Sequence, residues 1–214
     1  MPKPGPDDKQ QRRRYAKRLA PADRKEQLLD AALEIITESG FTDVSIAAVA
    51  ERGGVTRPVV YDSFASRDDL LHELIERESA RMREAVDRSM SGLESTVPHE
   101  DRAEALSAAL AGFLAEVRTM PDSWRIVYFP IDGVPPILRD RIEKSRDDLR
   151  APLSHALGEW LSGKRGAEEV DIDVLVRVFQ SIIHTAVQLV LDNPARFDSD
   201  RIIAMLNEML LRAP

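Results

Sequence analysis

The segment from Ser45 to Leu71, SIAAVAERGGVTRPVVYDSFASRDDLL, admits few folds. Ser45 can cap a helix, and Ile46, Val49 and Ala50 share one apolar face at helical spacing. Gly53 and Gly54 stop that helix, because glycine tolerates the left-handed conformation of a tight turn. Thr56 caps a second short helix, and Pro58 falls in its first turn, where a missing N–H does no harm. Val55, Val60 and Phe64 point inward, which leaves Arg57, Val59 and Tyr61 outward. A short helix offering Arg, a small apolar residue and Tyr on its free side suits a DNA major groove.

The rest of the chain reads as helix. Asp23, with Glu26 in a capping box, opens a first helix that Gly40 ends; its stripe is Leu28, Leu29, Ala32, Leu33, Ile35 and Ile36. A long helix follows the two short ones, from about Asp68 to Met90. Others are expected from about Asp101 to Thr119, from Pro121 to Phe129, from Pro136 to Ser162, from Asp171 to Leu191 and from Ser199 to Leu211. Pro152 lies inside the Pro136–Ser162 segment and predicts a kink or break there. No β-alternation is visible, so the expected fold class is all-α with about nine helices.

Charge is distributed unevenly. The 214 residues carry a formal net charge of −7, yet residues 1–67 hold 12 Lys/Arg against 10 Asp/Glu. Lys9–Lys25 holds eight basic residues against Asp23 alone. A basic end on an acidic body turns towards a polyanion. Residues 1–20 read as a disordered basic arm in which Arg12, Arg13 and Arg14 could enter a minor groove or supply nonspecific affinity. With no cysteine, disulfides and thiolate chemistry are excluded, and a cytoplasmic setting fits. No apolar run is expected to approach the ~18 residues of a membrane span, and the polar, proline-rich N-terminus does not read as a signal peptide.

Catalytic signals are weak. The four histidines, His72, His99, His155 and His184, lie far apart and outside metal-ligand spacings. There is no P-loop and no Gly-x-Ser-x-Gly or Gly-x-Gly-x-x-Gly. The sequence therefore calls for no catalytic residue, metal or cofactor.

From about Arg24 to Leu74 the sequence resembles the N-terminal domain of the TetR family of bacterial transcriptional regulators. The resemblance is carried by ESGF at the end of the first helix, IAAVAERGGV, YDSF and SRDDLL. Ser63 stands where the family often has His, and Arg67 where it often has Lys. The resemblance implies an N-terminal helix-turn-helix DNA-binding domain (21–67) joined to a larger ligand-binding and dimerisation domain (68–214). The candidate DNA-binding residues are Ser45, Thr56, Arg57, Pro58, Val59, Tyr61, Ser63 and Arg67, with Arg12–Arg14 of the arm. Arg57 would read guanine, Val59 a thymine methyl, and Thr56, Tyr61 and Arg67 phosphates.

For the C-terminal region the resemblance implies an effector cavity bounded by the fifth to eighth helices. Phe113, Met120, Trp124, Tyr128, His155 and Phe179 are its candidate lining; each of these alone is compatible with plain core packing. The last two helices are apolar on more than one face, so one face is expected against a partner subunit, with Phe179, Ile183, Val187, Val190, Ile202, Met205 and Met209 as candidates. The expected partners are double-stranded operator DNA, a second copy of the chain and a small, mostly hydrophobic effector, with no membrane. An effector-independent DNA-binding dimer is one alternative; a helical enzyme or carrier with a vestigial DNA-binding domain is another.

Overall fold

A computed structural model describes residues 19–91, 102–129, 133–161 and 170–211. The expected Arg12–Arg14 arm lies outside these residues, as does the side chain of Met209. Among the described residues there are nine α-helices and no strand: α1 (Pro21–Ser39), α2 (Ile46–Arg52), α3 (Arg57–Tyr61), α4 (Arg67–Met90), α5 (Arg102–Thr119), α6 (Pro121–Tyr128), α7 (Pro136–Leu161), α8 (Ile172–Asp192) and α9 (Ser199–Leu211). A 3₁₀ turn, Phe41–Asp43, joins α1 to α2.

Local rules explain most of the boundaries. Ser45 accepts the Ala48 N–H at 3.1 Å and so caps α2. Gly40, at φ 87°, ends α1 and donates its N–H to the Ile36 carbonyl. The start of α1 differs from the expected capping box. Ala20 is the N-cap with no side-chain bond, and Pro21 occupies the first turn, two residues ahead of Asp23. Proline at that position is already set at helical φ, so the helix begins there without a carboxylate cap. Thr56 likewise stands at the N-cap of α3 in extended geometry but makes no side-chain cap bond.

The expected break at Pro152 does not occur: α7 is a single helix from Pro136 to Leu161. The carbonyl that loses its helical partner to proline belongs to Asp148, an exposed residue, so water can take the bond.

The core is continuous from one end of the molecule to the other. Leu28, Ile36, Phe41, Val49, Val60 and Phe64 fill the N-terminal helices, and Leu70, Leu71, Leu74 and Ile75 of α4 close the same cluster. Further along, α4 packs against α5, α6 and α7. The α8 helix is the one described helix whose length and composition reach those of a membrane span, with mean hydropathy 1.7 over Asp173–Asp192. The expectation that no apolar run approaches that length therefore needs amending. Arg177 lies within the helix, which packs on α5 and α7.

One carboxylate lies at the centre of this arrangement. Glu78 of α4 has 0% exposure. It accepts Ser123 Oγ from α6 at 2.5 Å and Arg77 Nε at 2.6 Å, and Arg81 Nη1 lies at 3.3 Å. Arg77 in turn pairs with Glu26 and Asp30 of α1, at 3.0 and 2.8 Å. A buried charge persists only when paired and hydrogen-bonded, and this one is. Glu78→Ala is expected to cost about 3 kcal/mol in urea denaturation, because it leaves the Nε of the largely buried Arg77 and the Ser123 hydroxyl without their buried acceptor. A loss below about 1 kcal/mol would show that the network does not hold α4.

Candidate DNA-binding surface

The geometry of the outward helix α3 is set from behind. Val60 and Phe64 are fully buried, and Val55 packs half-buried against the same core. That leaves Arg57 and Pro58 exposed, Val59 half-exposed and Tyr61 56% exposed. Thr56 is also exposed, whereas Ser63 is half-buried. Ser45, the N-cap of α2, is exposed as well.

The turn between α2 and α3 is held by close packing. A Cβ on Gly53 would meet Val49 O at 3.1 Å and Leu28 Cδ2 at 3.2 Å, so the turn sits tightly on α1. Gln27 of α1 donates its Nε2 to the Gly53 carbonyl at 3.0 Å. Gly54 adopts φ 64°, the left-handed conformation the turn requires. On the outer side, Arg52 forms a fork with Glu38 and also bonds Glu34. That bond holds the Glu38 carboxyl below its usual range.

Arg67, expected to meet a phosphate, has an internal role as well. Its Nε donates to the Val44 carbonyl and its Nη2 to the Phe41 carbonyl, both at 2.7 Å. The first residue of α4 thus ties down the turn that leads into α2. Next to it lies a reciprocal cap that the sequence reading missed. Ser66 Oγ accepts the Asp69 N–H at 3.0 Å, and Asp69 Oδ2 accepts the Ala65 N–H at 2.8 Å. The Ser-x-x-Asp spacing was there to be read.

The C-terminal candidates fall into two groups. Phe113, Trp124, Tyr128 and Phe129 form a chain of edge-to-face rings, with centroid separations of 5.1, 5.7 and 5.4 Å. His184 lies against the rings of both Tyr128 and Phe129. Trp124 is buried, yet its Nε1 has no hydrogen-bond partner among the described residues. Met120 and Phe179 are half-buried against the core, whereas His155 is exposed on α7, outside the aromatic group.

The candidate dimer residues also divide. Ile183, Val187, Val190 and Ile202 are buried within their own subunit. Val174 and Val178 are 55% and 51% exposed on α8, and Met205 on α9 is 49% exposed. Among the described residues no group of three or more His, Asp or Glu is placed to hold a metal ion.

Residues 28–74 match the family described as "Bacterial regulatory proteins, tetR family". The transcriptional activator FasR of Mycolicibacterium smegmatis is 28% identical over 116 residues, which are 54% of this chain and 50% of that protein. The regulator BetI of Escherichia coli K12 is 30% identical over 95 residues, which are 44% and 47% of the two chains. The chain thus matches about half the length of these relatives.

Among solved structures, a TetR-like transcriptional regulator from Rhodococcus sp. RHA1 superposes with TM-score 0.69 at 25% identity, over 91% of this chain and 97% of that one. FadR from Bacillus subtilis, solved with stearoyl-CoA, shares the fold with TM-score 0.66 at 18% identity, over 87% and 97%.

Because Arg67 supplies two charged hydrogen bonds to backbone, Arg67→Ala should lower stability by about 2–4 kcal/mol with no DNA present. Chemical denaturation of the purified chain measures this. A stability equal to wild type would leave Arg67 only a surface role.

Proposed function

We propose that this chain, which belongs to the TetR family of bacterial transcriptional regulators, is a repressor that binds a pseudo-palindromic operator as a homodimer and leaves it when a small hydrophobic effector binds. The observation that carries the reading is the outward face of α3. Arg57, Val59 and Tyr61 stand exposed on a helix whose other side is locked by Val60 and Phe64. In this reading each subunit lays α3 in a major groove. Arg57 pairs with guanine, Val59 meets a thymine methyl, and Thr56, Tyr61 and Ser63 address phosphates. Arg67 and the Arg12–Arg14 arm add positive charge around the site. A two-fold dimer matches a two-fold operator.

The exposed valines of α8 and Met205 of α9 support the dimer. They are exposed apolar side chains on the two helices expected to meet a partner, while Val187 and Val190 serve the subunit's own core. The aromatic chain supports the effector. Trp124 Nε1 is a buried donor without a protein acceptor among the described residues, and such a group costs free energy until something accepts from it. The acyl-CoA held by the Bacillus subtilis neighbour fits an apolar effector class. Effector binding would favour an arrangement that does not fit DNA, and α4 physically joins the two regions. The contact of Phe113 with Trp124 and of Trp124 with Tyr128 favours a second reading, in which these rings are plain core and the protein binds DNA without an effector.

Two measurements separate these readings. Arg57→Ala should weaken binding to a footprinted operator by about 1–3 kcal/mol and relax sequence preference. For wild type the log–log salt slope should be near −7, at ~0.9 per phosphate for about eight phosphates per dimer. Unchanged preference in Arg57→Ala would remove Arg57 from the reading role. For the effector, titration of stearoyl-CoA or free stearate should change Trp124 fluorescence and weaken operator binding. By reciprocity, operator DNA should weaken ligand binding by the same factor. If neither ligand changes either signal, these rings are better read as core.

A further inference from the structure

A half-open cleft of about 680 Å³ lies between the end of α1 and the end of α8, at the Phe129–His184 end of the aromatic chain. One wall is the last turn of α1 with Gly40 and Thr42. The other is formed by Arg125 of α6, by Phe129 just after it, and by His184, Gln188 and Asp192 of α8. Gly133 closes one edge: at φ 78° it approaches Thr42 so closely that a Cβ would stand 3.0 Å from Thr42 Cγ2.

The electrostatics of this cleft are one-sided. Two helices end on it, and neither has a basic residue in its last turn. A helix C-terminus carries roughly half a negative charge on its free carbonyls. At α8 that charge is partly met, since Arg125 donates Nη2 to the Leu191 carbonyl at 3.0 Å and Nη1 to Asp122 at 3.1 Å. At α1 it is not met. The carbonyls of Thr37, Glu38 and Ser39 accept no hydrogen bond from the described residues. The Glu38 carboxylate is matched by Arg52, but Asp192 has no ion-pair partner among the described residues. The solvent-facing carbonyls, the exposed Asp192 carboxylate and the α1 end together make the local potential negative and favour a donor that carries positive charge. Beside them lie the faces of Phe129 and Leu191, which suit an apolar body next to that charge.

We propose that this cleft is a binding site for a small protonated amine with an apolar tail. Its ammonium sits at the C-terminus of α1 opposite Asp192, and its tail lies along Phe129 and Leu191. Phe129 and His184 are shared with the aromatic group, but Trp124 does not line the cleft, and its role as an effector contact is not needed here. The two walls of the cleft belong to α1 and to α6 and α8, so an occupant touches the N-terminal helices and the C-terminal helices together.

The test is calorimetry on the full chain with 2-phenylethylamine, 2-phenylethanol and phenylacetate as probes. The amine should bind saturably at one site per chain, at least about tenfold more tightly than the alcohol, with no binding of the anion. Asp192→Asn should weaken the amine by about tenfold. Ser39→Trp or Gln188→Trp should abolish binding by filling the cleft from either wall, so that a fold defect in one leaves the other as the test. Equal binding of amine and alcohol would overturn the proposal. So would the absence of saturable amine binding, or amine affinity unchanged in Asp192→Asn and in the folded tryptophan variant.

Discussion

The fold depends on a carboxylate fully buried from solvent. Glu78 lies on the inner side of α4, and its oxygens are shared by Ser123 of α6 and by Arg77 and Arg81. Through Arg77 the same centre reaches Glu26 and Asp30 on α1. Hydrophobic contact holds these helices together but is tolerant of sliding. A buried charge is not tolerant, because small displacements cost it hydrogen bonds in a low-dielectric setting. The polar centre therefore fixes the register of α1, α4 and α6, and the surrounding Leu70, Leu74, Ile75 and Met82 supply the bulk of the burial.

That register decides where α3 stands. Gln27 on α1 holds the Gly53 carbonyl, and Leu28 packs under the same glycine. Arg67 at the head of α4 holds the turn ahead of α2. The position of Arg57 and Tyr61 is thus set by contacts none of which touch α3's outer face. Surface pairs such as Arg88 with Glu116 add little by comparison, since both partners are in contact with solvent.

Much of this was legible in the sequence where the signal is local. Ser45, Gly40 and the paired glycines set their boundaries within a few residues, and the inward set Val60 and Phe64 follows from spacing alone. Other features depend on neighbours far along the chain. Glu78 is one of many acidic residues, and nothing in its surroundings announces Ser123, 45 positions on. On α8 both sides are apolar, so periodicity could not say that Val187 faces inward while Val174 and Val178 face out. Pro152 reads as a breaker, but its effect is decided by whether the Asp148 carbonyl can reach water. The cleft beside Asp192 is made by two helix ends far apart in sequence, and no motif encodes it.

The bonds of Arg67 bear on how this architecture can be divided. The N-terminal helices carry the face proposed to meet DNA, and it is tempting to treat them as a cassette that could be exchanged between relatives. Their core, however, is completed by Leu70, Leu71, Leu74 and Ile75. Their entry turn is fastened by the guanidinium at the head of the same helix. A recombination point placed just after Arg67 would keep the fastening but strip away the wall it is anchored to. Chimaeras that inherit α3 must inherit at least two turns of α4 with it, and with them part of the surface on which the C-terminal helices pack.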